Sequence, residues 1–366
     1  MIKVLWLSPN FNHYKARFLN HLAKTDAINL SIISGTGRNA MGDQELDENW
    51  GFSHFKVAAN KKNFGIAKEV RKVLKKEFDN YDWVLIPAEK KNILLFLYAL
   101  WLQFKNKKTK LFSYNHPVLK SGNGKITVLD KVLSKFFYRF LDRVIFYTED
   151  SYTWAVQNKY INPKKAYWVN NTIDDIEVKN NYTFCVPNFK DKRIVFIGRL
   201  IPSKRIDLLI DYFAALQKSL PNKNLSLDII GDGPDKIFVE KAMKINATIN
   251  WYGTLVEERD IAPIIKKSSL VFIPGLSGLS INHAFAYGRP YITINSNGHG
   301  PELNYIQNGT NGFILNGNFE ENVDSIKELL LDNVKLNELC MNAYDKGGEL
   351  SVSNWVHKMA INLAYE

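Results

Sequence analysis

The stretch "RIVFIGRLIPSKRIDLLI", residues 193–210, decides how the chain is read. An apolar run ends at Gly198, where a strand can turn. Arg199 then stands at the strand's carboxyl end. A proline-containing turn follows, with Lys204 at its far side, and an amphipathic helix opens at Ile206. Strand, turn and helix in this order make one parallel βα unit. Two cations at such a turn are placed to hold a diphosphate from two sides, since charge-assisted bonds to phosphate are the strong ones.

Downstream the same unit recurs. Strands are expected at "LSLDIIG", "INWYG", "LVFIPG" and "PYITINS", with helices at "IDLLIDYFAALQKSL", "DKIFVEKAMKI", "ERDIAPIIKKS" and "INHAFAYG". Upstream, "IKVLWLS", "INLSIIS", "DWVLIPA", "KLFSYNHP", "RVIFYTE" and "KAYWVNN" read as strands. "YKARFLNHLAK", "FGIAKEVRKVLKKEF", "ILLFLYALWLQF" and "ITVLDKVLSKFFYRFL" read as helices between them. Near-continuous apolar strands suit parallel sheets covered on both faces. The fold class is therefore α/β, with two Rossmann-like doubly wound parallel-sheet domains facing a cleft. The first spans 1–175. Residues 176–191, polar and unpatterned, read as the linker. Residues 192–345 form the second domain. Residues 346–366 are a C-terminal helix, a candidate to pack back on the first domain.

Composition agrees with two domains. The chain has 366 residues, 46% hydrophobic and 23% charged, as in globular proteins. Its two cysteines, Cys185 and Cys340, form no CxxC pair, which suits a reduced, cytoplasmic setting. The N-terminus "MIKVLWLSPN" reads as a buried strand and lacks the features of a signal peptide. Charge is uneven. Residues 1–175 carry 28 Lys/Arg against 16 Asp/Glu, a net of +12, and residues 176–366 carry 20 against 21, a net of −1. A basic half calls for an anionic partner, and without an Arg-rich helix or RNA-binding signature nucleic acid is not expected. The helix "NILLFLYALWLQF" is too short to span a bilayer, which needs roughly 20 residues. Lys90 and Lys91 precede it, and Lys105, Lys107, Lys108 and Lys110 follow. It reads either as a core helix with solvated ends or as a contact with an anionic membrane surface.

The other chemistry-bearing stretches lie at strand ends. Gly231 and Gly233 in "DIIGDGP" permit close backbone approach. Tyr252 follows the strand in "INWYGTL". In "PGLSGLSINHAFAYGRP", residues 274–290, Gly278, Leu279 and Ser280 lead into a helix whose N-terminal amides can receive an anion. In the first half, Asn10, Asn12, His13 and Tyr14 follow the first strand. They read either as cleft-lining polar groups or as turn chemistry without a ligand. His116 ends the strand "KLFSYN", with Pro117 stopping it. No acidic cluster of metal-binding type stands at a strand end, so no metal and no cofactor is expected.

The order of "FIGRLIPSKRIDLLI", "IIGDGP", "WYGTL", "GLSINHAFAYGRP" and "GPELNYIQNGTNGFIL" resembles that of family 4 retaining glycosyltransferases, the group 1 enzymes of the GT-B fold. The resemblance covers residues 193–315 and fades in the N-terminal half to element order and "NNTIDD". It implies transfer of a sugar, hexosyl in type, from a nucleoside diphosphate sugar to a hydroxyl of a glycan or lipid-linked acceptor. Retention and a place in cell-surface polysaccharide assembly come with it. Arg199 and Lys204 match the diphosphate-binding pair, and Gly278, Leu279 and Ser280 the phosphate-facing turn. His116 matches a histidine near the reacting sugar. By the same likeness Gly198, Gly231, Tyr252 and His283 join the donor-binding set, and His116, Arg199 and Lys204 are the catalytic candidates. Such an enzyme works in the cytoplasm, with attachment to the inner face of the membrane left open.

One departure stands out. The family carries two glutamates eight residues apart across this turn and helix, one toward the sugar and one toward the ribose. This chain has Gly275 and His283 there. His283 reads either as an imidazole that still bonds a ribose hydroxyl or as a helix histidine satisfied within the fold. Gly275 offers no side chain, which leaves backbone amides or Glu302 to read the sugar. Alternatives of other classes are a nucleotide-sugar epimerase of the same fold and a catalytically weak nucleotide-sugar-binding module.

Overall fold

The computed structural model describes residues 1–36, 49–119, 126–221 and 223–364. Residues up to Asn171 form one compact unit together with those from Val352 onward, and Thr172–Ser351 form the second.

In the first unit seven strands lie in the order β3-β2-β1-β4-β5-β6-β7. They are β1 (Ile2–Ser8), β2 (Ile28–Ser34), β3 (Ser53–Lys56), β4 (Trp83–Leu85), β5 (Lys110–Asn115), β6 (Arg143–Phe146) and β7 (Ala166–Trp168). Every pairing is parallel. The central strands β1, β4 and β5 are buried along most of their length, as in a parallel sheet covered on both faces. Those helices are α1 (His13–Ala23), α2 (Lys68–Glu77), α3 (Ile93–Lys105), α4 (Val128–Phe140) and α5 (Glu149–Gln157). Helix α4 starts at a capping box, in which Thr127 and Asp130 each bond the other's backbone amide. The last helix, α13 (Val352–Ala364), belongs to this unit. Its Trp355 is 1% exposed and packs on Phe18 with ring centroids 4.9 Å apart. The indole Nε1 donates to the Tyr114 hydroxyl at 3.1 Å.

The second unit repeats the plan with six parallel strands, in the order β10-β9-β8-β11-β12-β13. They are β8 (Lys192–Ile197), β9 (Leu225–Ile230), β10 (Ile249–Trp251), β11 (Leu270–Ile273), β12 (Tyr291–Ile294) and β13 (Gly312–Leu315). Its helices are α6 (Asp175–Asn181), α7 (Ile206–Ser219), α8 (Lys236–Ile245), α9 (Glu258–Ile265), α10 (Ser280–Ala286), α11 (Phe319–Leu331) and α12 (Asn333–Glu349). In each sheet the strand order reverses once, between β1 and β4 and between β8 and β11. Open α/β sheets bind ligands outside the carboxyl ends of such a pair.

Two expectations are corrected here. The stretch read as a linker, 176–191, begins inside α6, because Asp174 caps that helix by accepting from the Glu177 amide. The segment 346–366 is not one helix either: α12 ends at Glu349, and α13 starts anew at Val352.

A fully buried arginine locks the second unit. Arg289 is 0% exposed. It donates to the carbonyls of Ile265 and Lys266 at the end of α9, of Tyr287 and Gly288 at the end of α10, and of Cys185. It also donates to the Tyr182 hydroxyl. A cation among helix C-terminal carbonyls is favoured by the helix dipole. Gly288 sits beside it with φ +62, and a Cβ there would lie 2.3 Å from the Phe184 ring.

Candidate active site

The loops after β8 and β11 meet at the switch point of the six-stranded sheet. Leu276 donates its amide to the Ser203 carbonyl at 2.7 Å. Lys204 reaches back with its Nζ to the Leu276 carbonyl at 2.5 Å. Gly275 lies against this crossing: a Cβ there would stand 2.3 Å from the Ser203 carbonyl oxygen and 2.6 Å from the Lys204 Cα. The missing glutamate at 275 therefore has a physical reason. The space a side chain would enter is filled by the backbone that carries Lys204.

Lys204 and Arg199 are brought together. Burial first, and then the neighbouring Arg199 charge, hold the Lys204 ammonium down at a pKa of about 8, with Glu302 opposing both. Two cations held close in a partly dry place repel each other, so the site gains from a bound anion. Glu302 is 5% exposed and turns toward the same loop, its Oε2 lying 3.8 Å from where a Gly278 Cβ would be. The fold thus places one carboxylate near the lysine although position 275 offers none.

The turn before α10 is fixed by side-chain bonds. His299 accepts the Ser277 amide at Nδ1, at 2.9 Å, which leaves its proton on Nε2 facing the Ile294 carbonyl at 2.9 Å. Burial holds this imidazole below its usual pKa. Ser280, first residue of α10, bonds the Tyr291 hydroxyl at 2.8 Å, and that hydroxyl also meets Ser277 Oγ at 3.0 Å. Gly278, Leu279 and Ser280 are partly exposed, and no side chain caps α10. The close approach at Gly231 is between two loops: a Cβ there would stand 1.9 Å from the Gly198 carbonyl oxygen. Gly198 and Gly231 have φ of +152 and +137, which glycine adopts without strain. Gly233 is likewise pressed against the Leu200 carbonyl. The close backbone approach expected at these two glycines is thus made to the loop after β8. Tyr252 is 41% exposed and donates to Asp228 Oδ1 at 3.1 Å.

His283 is 2% exposed. Its Nε2 lies 2.9 Å from Oε1 of Glu258, and the Tyr287 hydroxyl donates to Oε2 of the same carboxylate at 2.6 Å. Glu258 opens α9 and was not singled out in the sequence. A histidine on a buried helix face needs a polar partner, and that need was the available signal. The ring is therefore engaged inside the unit, facing a carboxylate that stands 25 residues upstream.

In the first unit the acceptor-side candidates gather at the carboxyl ends of β1 and β5. Asn12 caps α1 by accepting from the Lys15 amide at 3.1 Å, so its turn role is filled. His13 is 6% exposed and its ring packs against Tyr14 at 4.1 Å. Asn10 is buried, and its Oδ1 has no hydrogen-bond partner among the described residues. His116 is exposed at the end of β5, its ring edge-on to Tyr147 at 5.0 Å. The Tyr138 hydroxyl fixes its carbonyl at 2.8 Å.

Residues 191–332 match the family described as "Glycosyl transferases group 1". No curated protein matches the chain in sequence. Among solved structures, Anabaena Alr3699/HepE in complex with UDP superposes with a TM-score of 0.71 at 18% identity, covering 99% of this chain and 100% of that one. A glycosyltransferase from Rickettsia africae gives 0.70 at 15% identity, covering 99% and 97%. Sucrose-phosphate synthase from Thermosynechococcus elongatus gives 0.69 at 12% identity, covering 98% and 97%. The two parallel-sheet, Rossmann-like units have the GT-B fold of these structures.

Proposed function

We propose that the chain is a retaining family 4 glycosyltransferase. It moves a hexosyl group from a nucleoside diphosphate sugar to a hydroxyl of a glycan or lipid-linked saccharide, in cell-surface glycan assembly on the cytoplasmic side. The observation that carries this is the convergence of Arg199 and Lys204 under the turn Gly275–Ser280. The HepE structures with UDP and with UDP-glucose support a nucleotide-sugar donor of the same kind here.

As the bond from the anomeric carbon to the diphosphate oxygen breaks, negative charge grows on the leaving diphosphate. Arg199 and Lys204 are fixed cations aimed at that charge, in a place where solvent reorganises little. No metal is called for. Neither Gly275 nor His283 offers a carboxylate to trap the sugar. Retention is what the likeness to family 4 implies: the incoming hydroxyl then approaches on the face the diphosphate leaves, and its proton passes to a departing phosphate oxygen. His116 of the first unit matches the family's histidine for the reacting sugar, and Asn10, His13 and Tyr14 are the candidates for acceptor hydroxyls. Glu302 reads the donor sugar.

The test is release of free nucleoside diphosphate from nucleotide-sugars, with and without acceptor saccharides. Acceptor-dependent release, retained in EDTA, supports transfer. Epimerised donor without acceptor indicates an epimerase, and binding without turnover a binding module. Arg199→Ala and Lys204→Ala should each lower donor use about 10- to 150-fold, the equivalent of one charge-assisted bond. Wild-type turnover in both would remove the two cations from the mechanism.

A further inference from the structure

Helices α3 and α4 lie side by side on the first unit. Phe96 stacks on Phe137 at 4.3 Å, and Lys90 pairs with Asp130 at their starts. The inward face of α3 is Leu95, Phe96, Ala99 and Leu102. Its outward face is equally apolar: Leu94, Leu97, Trp101 and Phe104 recur at helical spacing and are 44–80% exposed. Helix α4 repeats this, with Val128, Leu129, Val132 and Phe140 exposed by 45–78%. An apolar surface of this kind on a globular unit marks a place of contact.

The charge around it has one sign. Lys105, Lys107 and Lys108 follow or end α3, and Lys131, Lys135 and Arg139 lie along α4, all exposed. Between residues 93 and 108 and between 126 and 140 the one acidic residue is Asp130, fully buried and paired with Lys90. Lys105 lies over the Trp101 ring at 3.9 Å, a cation beside the apolar stripe. Apolar centre and basic margin are the two features of a helix that lies in a membrane interface. Among the described residues no helix is long and apolar enough to cross a membrane, so contact here means lying on it.

We propose that the outward faces of α3 and α4 together form a docking surface for an anionic lipid bilayer. The apolar side chains enter the headgroup region and the lysines meet lipid phosphates. A second copy of the chain is the poorer occupant, since an isologous contact would set each basic margin against itself. This surface does not depend on the transfer reading, because a chain that bound no nucleotide would still bind vesicles.

The test is flotation with vesicles of phosphatidylcholine alone and of phosphatidylcholine with a third phosphatidylglycerol, in low and high salt. The full chain should float with the anionic vesicles, and high salt should release it. Replacing Lys107, Lys108, Lys131 and Lys135 with Gln should weaken binding about fivefold per lysine. The pair Phe104→Asp and Val128→Asp, at the two most exposed positions, should weaken it about tenfold or more without changing the melting temperature. Absence from anionic vesicles, equal binding to neutral ones, or unaltered binding by the aspartate variant overturns the proposal. So does a dimer in light scattering that the same aspartates dissolve, which would make this face a self-contact.

Discussion

Nε2 of His283 lies 2.9 Å from Oε1 of Glu258, and both side chains are buried. The position where the family has a carboxylate thus holds a partner for one. A glutamate at 283 would not restore the family arrangement. It would set two buried carboxylates against each other, which share a site only when one is protonated. His283→Gln should cost about 1–3 kcal/mol as the bond to Glu258 weakens. His283→Glu should cost more at neutral pH, and Glu258→Gln in the same chain should relieve it. Urea unfolding followed at several pH values reads this. If His283→Glu is as stable as His283→Gln, the two side chains do not constrain each other.

Lys204 sets a pH dependence. Its pKa is lowered from 10.5 to about 8 by burial and by Arg199. A base with a depressed folded pKa binds fewer protons folded than unfolded, so its stability contribution rises from pH 8 to 10.5 and is lost as pH falls through 8. Diphosphate binding runs the other way, because it favours the charged ammonium. Affinity for a nucleoside diphosphate should fall as pH rises from 7 to 9, with proton uptake on binding near pH 8. Lys204→Arg, charged throughout, should flatten that profile. Calorimetry in buffers of different ionisation enthalpy measures the uptake. A flat wild-type profile would place Lys204 away from the phosphates.

Gly275 cannot accept the family's glutamate. Its Cβ direction ends 2.4 Å from the Lys204 carbonyl carbon. Gly275→Ala should cost about 1–3 kcal/mol, as overpacking does, and Gly275→Glu no less. Both should weaken diphosphate binding by moving Lys204, with the melting temperature and the binding constant falling together. Tighter binding by Gly275→Glu would mean that the loop opens to accept the side chain.

Much of this was legible in the sequence, and the losses have causes. The central strands announce themselves because parallel strands covered on both faces are apolar throughout. Strand β3 was missed because it is an edge strand, "SHFK", with no buried residue, and β13 because it is short and opens on Gly312. Helix α5, "EDSYTWAVQ", buries Ser151 and Ala155 and shows little apolar period. Arg199 and Lys204 could be read because strand-to-helix turns fix where their side chains emerge. Glu258 could not, because nothing in "VEERDIAPII" says that its carboxylate meets a histidine of another helix. The steric reason for Gly275 lies in a loop more than 70 residues away.

Arg289 offers the last test. Its guanidinium makes six hydrogen bonds and joins the ends of α9 and α10 to the segment carrying Tyr182 and Cys185. Arg289→Met keeps the volume but leaves five carbonyls without this donor. Several of them end helices and have no intrahelical partner. The expected loss is about 3–5 kcal/mol, the range for breaking a buried charged network. Arg289→Lys should recover only part of it, since one ammonium cannot reproduce the planar fork. With two units in the chain, a single unfolding midpoint would mix their responses. Hydrogen exchange on peptides from 258–289 isolates the effect: protection there should fall about 100-fold or more in Arg289→Met, while peptides of β1 and α13 keep theirs. Unchanged protection in 258–289 would mean that the helix ends hold together without the arginine.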